Sequence, residues 1–167
     1  MRTFKQYLKE ELESNLDFKR FGVRRFYEWC ERRNVKESSC NRMLEAEGMV
    51  RIFKDRSLKS TPLEITEILG QPEILGDTRN YRDDNEGVSH FYWGIEFVDG
   101  IKAIIAHHSY GVLPPDMTDT HHTTHLDAGT KGKEKEIMQR IKALIKIKKY
   151  KLNKNSENMF GNIIRSV

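Results

Sequence analysis

The chain has 167 residues, 37% hydrophobic and 32% charged, with a net charge of +4 and a pI near 9.0. That length suits one domain, or one domain with a small appendage, and it is long enough for a real core. No run approaches the roughly 18 apolar residues of a membrane span, and the N-terminus lacks the apolar stretch of a signal peptide. The two cysteines, Cys30 and Cys40, fit no metal or disulfide framework and read as reduced thiols in the cytosol. The charge is uneven. Residues 1–60 hold 15 basic and 10 acidic side chains, residues 61–130 hold 3 and 12, and residues 131–167 hold 11 and 3. Any hint of nucleic acid in the pI therefore belongs to the two ends of the chain.

In chain order, Thr3 and Gln6 form a capping-box pattern, and Phe4, Tyr7, Leu8 and Leu12 share a helix face. Met1, Arg2, Thr3, Phe4, Tyr7, Leu8 and Glu10 resemble the capsid-targeting peptide of internal head proteins in T-even-type phages. In that family the peptide docks cargo into the assembling prohead, and a maturation protease cuts after the Glu of an aliphatic-x-Glu site. The resemblance implies cleavage at Leu8-Lys9-Glu10, leaving a chain that starts at Glu11. It departs from the family in having Arg2 where Lys is usual.

Val23, Phe26, Tyr27 and Cys30 recur at helical spacing, so residues 23–33 are expected to form an amphipathic helix. A second helix is expected over 37–47, with Cys40, Met43 and Leu44 inward and Gly48 as its stop. A short strand, MVRIF, and a basic loop follow. The run Leu44-Glu45-Ala46-Glu47-Gly48-Met49-Val50-Arg51, then the basic loop, resembles the end of the recognition helix and the wing of winged-helix DNA-binding units. That resemblance implies phosphate contacts from Arg42, Arg51, Lys54, Arg56 and Lys59. The alternative is a helical pair packed on the sheet.

Thr61, Pro62 and Glu64 mark the start of a helix, and Gly70 marks its end before Pro72. Residues 74–88 are polar and read as a loop. HFYWGIEF and IKAIIAHH flank Val98-Asp99-Gly100, a strong hairpin signal because Gly tolerates the positive φ the turn needs. Phe91, Trp93, Ile95 and Phe97 alternate with His90, Tyr92, Gly94 and Glu96, so one face is expected to be core and the other polar. Residues 110–120 read as a loop, 120–128 as a third strand, and 132–149 as a helix with Ile137, Ile141, Leu144 and Ile145 on one face. Leu69, Gly70, Pro72, Trp93, Phe97, Asp99, Gly100, His125 and Gly129 resemble the layout of small uncharacterised phage proteins; this implies an α+β fold and no activity.

The expected architecture is thus α+β. A small, mostly antiparallel sheet, from a hairpin over 90–108 and a strand over 120–128, packs against helices, with a helical N-terminal region. The expected units are an N-terminal segment at 1–13, a helical basic region at 14–60, an α+β domain at 61–150 and a basic, Asn-rich tail at 151–167.

Five of the six histidines fall between His107 and His125. Two histidines at i and i+4 of a strand are about 13 Å apart, too far to share a metal alone. His125 and Asp127 at i and i+2 are better neighbours. Adding His107 and His121 gives a candidate metal set of His107, His121, His125 and Asp127, of a chemistry suited to zinc or iron. The function expected first is a phage-encoded, non-enzymatic protein, in the virion interior or the host cytoplasm. It would bind the capsid scaffold or a host protein, with no membrane partner and no cofactor. Two readings stand beside it: a winged-helix-like DNA-binding protein, and a metal-dependent hydrolase built on the histidine cluster.

Overall fold

A computed structural model of the chain describes residues 16–27, 37–52, 57–75, 88–110 and 124–164. Its centre is the hairpin of β4 (Val88–Phe97) and β5 (Lys102–Tyr110). The turn closes as expected. Phe97 N donates to Ile101 O at 2.9 Å, Gly100 N donates to Phe97 O at 2.8 Å, and Gly100 sits at φ 82. Arg140 then grips the turn, donating to both carboxylate oxygens of Asp99 at 2.9 and 2.6 Å while its guanidinium lies over the Phe97 ring.

Around this hairpin the fold is α+β, with a six-stranded antiparallel sheet. β6 (His125–Thr130) pairs with β5, and β2 (Met49–Arg51) pairs with β6 to form one edge. The other long side of β4 carries two short strands. β1 (Phe18–Phe21) pairs with its C-terminal half and β3 (Glu73–Leu75) with its N-terminal half. The helices are α1 (Glu37–Ala46), α2 (Pro62–Leu69) and α3 (Glu134–Ile164), and residues 24–27 are also helical. No described helix is long and apolar enough to cross a membrane.

Several sequence expectations are met. α2 carries the complete capping box: Glu64 N donates to Thr61 Oγ1 at 3.2 Å and Thr61 N donates to the Glu64 carboxylate at 3.1 Å. α3 lays Ile137, Ile141 and Ile145 on the sheet beside Trp93, Ile95 and Phe97.

Other expectations need correction. The second face of the hairpin is not a polar surface. Tyr92, Ile104, Ala106 and Ala128 are buried there beneath Val23, Phe26, Tyr27, Leu44 and Met49. The apolar N-terminal helical pair needs a face to cover, and this one is apolar enough to receive it. The described residues of the N-terminal region take the alternative of packing on the sheet, and they supply β1 on one side of it and β2 on the other. Met49–Arg51 of the expected MVRIF strand forms β2, an edge of the common sheet, and residues 53–56, where the basic loop begins, lie outside the described residues. The tail expected at 151–167 is helical to Ile164, because its Lys- and Asn-rich run holds no proline and extending an existing helix is far easier than starting one.

The docking of β1 depends on Gly94, which faces Phe21 across the ladder. A Cβ at Gly94 would lie 2.5 Å from Phe21 O and 2.7 Å from Val23 Cγ1. Backbone cannot yield as a side chain can, so Gly94→Ala is expected to destabilise the fold by about 2–3 kcal/mol. Urea unfolding checks this, read as a lower midpoint at an unchanged slope.

Candidate functional site

The described residues bring one group of polar and titratable side chains together, centred on Asp127. Its position comes from a break in the β5–β6 ladder. Ile105 pairs with Leu126 and Ile104 with Ala128, so the ladder skips Asp127. Such a bulge places an extra residue and changes which face the next side chain meets. Leu126 accordingly joins the core under α2 and α3, whereas Ala128 joins the core under the N-terminal helices. Asp127 O still accepts a bond from Ile52 N at 2.8 Å, which extends the pairing of β2.

The Asp127 side chain is 6% exposed and meets three groups. Tyr27 donates its hydroxyl to Oδ2. Arg51 donates from Nη2 to Oδ1 at 3.4 Å, and His125 Nε2 lies 3.8 Å from the same oxygen. The rings stack around them: Tyr27 on Tyr92 with centroids 4.4 Å apart, His90 on Tyr92 at 6.2 Å, and the Arg51 guanidinium 5.5 Å from the Tyr27 ring centre. The cluster joins the helical turn at 24–27, β2, β4 and β6.

The electrostatics follow from burial. Burial alone pushes the Asp127 carboxyl up, but His125, the Arg51 charge and the Tyr27 hydroxyl outweigh it and hold the group below its usual range. Burial and then the neighbouring carboxylate push the Tyr27 phenol well above its ordinary value, so it stays a proton donor. Burial lowers His90, against the pull of Asp127. Asp127 is therefore an ionised carboxylate held by donors of its own chain.

The expected metal set is not brought together. His125 and Asp127 are neighbours, but His107 lies on the opposite face of the sheet. Its ring is 6.0 Å from Phe91 and its Nδ1 is 3.3 Å from Thr124 Oγ1. The reason is alternation: His107 follows Ala103 and Ile105 at every second residue, on the core face. His121 lies outside the described residues, as do the cleavage residues Leu8 and Glu10. Among the described residues no group of three or more His, Cys, Asp or Glu is arranged to hold a metal ion.

Of the expected phosphate contacts, Arg42 is exposed on α1, whereas Arg51 turns inward to Asp127 and its side chain is 23% exposed. Lys54 and Arg56 lie outside the described residues. Arg51 is thus a structural cation here. Tyr27, Tyr92 and His90 were not singled out by sequence, yet a signal existed. Tyr27 sits on an apolar helix face, and a buried phenol needs an acceptor. Asp127 lies inside an apolar strand, and a buried carboxylate needs donors.

Comparison with protein-family models, with curated proteins and with solved structures returned no match.

Two expectations follow from the cluster. Asp127→Asn removes the charge that Arg51 faces and is expected to destabilise the fold by about 3 kcal/mol, with Tyr27→Phe weaker at about 2 kcal/mol. Paired urea unfolding of the two variants and the double variant reads their coupling. The pH dependence has a fixed sign. Asp127 ionises at a lower pH folded than unfolded, so its contribution is complete above its unfolded value of about 4 and is lost as pH falls through the folded value. His90 acts in the same direction, complete above its unfolded value of about 6.5 and declining below it. The unfolding midpoint is therefore expected to fall on acidification from pH 7, with the most acidic part of the fall reduced in Asp127→Asn.

Proposed function

We propose that this chain is a phage-encoded protein, carried as head cargo, that acts by binding another protein rather than by catalysis. The observation that carries the reading is the N-terminal pattern Met1, Arg2, Thr3, Phe4, Tyr7, Leu8 and Glu10. One structural fact supports it. The most elaborate polar cluster among the described residues is turned inward: Tyr27 and Arg51 cover the Asp127 oxygens and tie the N-terminal region to the sheet. Such a carboxylate is spent on holding the fold, which leaves the outer surfaces to meet a partner. The partner is the capsid scaffold during assembly, or a host protein in the cytoplasm after delivery.

The test is the intact mass and N-terminal sequence of the protein from purified particles. A chain that begins at Glu11 is the expected result. A chain that begins at Met1 or Arg2, recovered from infected cells but absent from particles, would overturn head carriage.

A further inference from the structure

α3 has a flank that the sheet does not use. At 3.6 residues per turn, Lys135, Lys142, Lys146 and Lys149 fall within roughly 60° of one another around the helix, and they span about 21 Å of its length. All four are exposed. Their flank is distinct from the apolar row of Ile137, Ile141 and Ile145, which is buried on the sheet. Lys149 pairs with Glu64 of α2 at 2.9 Å. Lys135, Lys142 and Lys146 make no ion pair among the described residues. The helix's first turn carries two carboxylates: Glu136 is already taken by Lys133 and Arg140 at 3.0 and 2.5 Å, and Glu134 makes no ion pair with these lysines among the described residues. Glu67 of α2 is exposed and is the other acid of the neighbouring helix. The flank therefore keeps most of its positive charge, in a chain segment with 11 basic and 3 acidic residues.

We propose that this lysine flank binds the phosphate backbone of double-stranded nucleic acid without reading its sequence. A row of ammonium groups along one helix flank suits a stiff polyanion that carries one charge per roughly 1.7 Å of its axis. Lysine acts on phosphate as a point charge, and between Lys135 and Lys149 the flank presents no bidentate guanidinium and no aromatic ring for base readout or stacking on single strands. An anionic membrane fits less well. A helix that lies on a bilayer inserts apolar side chains beside its lysines, and Ile137, Ile141 and Ile145 of α3 are already buried in the protein core. This surface is separate from the basic residues around Arg42 and Arg51, and it does not depend on the proposed partner of the head cargo.

The experiment is fluorescence anisotropy of the full chain with a labelled DNA duplex of random sequence, over a salt series. Binding is expected at low salt, with a log–log salt slope of about −3 for three phosphate contacts. The triple variant Lys135→Gln, Lys142→Gln, Lys146→Gln, checked for native circular dichroism, is expected to lose at least about tenfold in affinity and most of that slope. Arg42→Gln is expected to keep both. No binding at the lowest salt, or a triple variant that binds as the parent does, overturns the proposal. So does binding to vesicles rich in phosphatidylserine with no binding to the duplex, which would assign the flank to a membrane surface.

Discussion

A buried carboxylate must be given donors or protonated, and this constraint organises the N-terminal third of the chain. Asp127 reaches the interior because the β5–β6 ladder skips it. Once there it needs hydrogen-bond donors. Tyr27 and Arg51 supply them from two segments far away in sequence. The aromatic stack of Tyr27 on Tyr92 excludes water around the pair, which strengthens the interaction and raises the cost of losing either side. The carboxylate thus selects one arrangement of the helical region over the sheet, where apolar packing by itself tolerates several.

Similar directional ties recur wherever an irregular segment meets the sheet. Arg20 donates to Gly94 O, Leu69 O and Gln71 O, joining β1, β4 and the end of α2. The Glu73 carboxylate accepts from Val23 N and Arg24 N, meeting free backbone donors at the start of the helical turn. Glu47 receives Lys102 and Arg25, fixing the end of α1 over β5. Trp93 donates to Gly70 O from within the other core. Two apolar layers provide the bulk of the stabilisation, and these polar contacts set the register between parts.

What sequence revealed and what it hid divide along physical lines. The β4–β5 hairpin, α2 and the start of α3 carry long periods, a turn dipeptide or a capping box, and each was legible. β1 and β3, with four and three residues, contain too little alternation to register as strands. The two-sided core was partly visible, since Ile104 and Ala106 already sat on the face taken as polar. The bulge at Asp127 has no local signature, so neither the face of Ala128 nor the meeting of Tyr27 with Asp127 could be read. The histidine cluster misled for a related reason. Density along the chain is not convergence in space, and strand alternation sent His107 and His125 to opposite faces.

Both outer positions of the sheet are filled by strands that come early in the chain. Phe18 lies against Phe97, and Met49 against Thr130. Neither early strand has its pairing surface until the hairpin and β6 exist, so β1 and β2 cannot settle before those later strands are in place. β4 and β5 close over a short turn, whereas β1 and β2 pair with partners more than 70 residues away in the chain. Long-range closures of this kind slow folding. For a chain of this size, speed is therefore set by topology more than by the strength of any single contact.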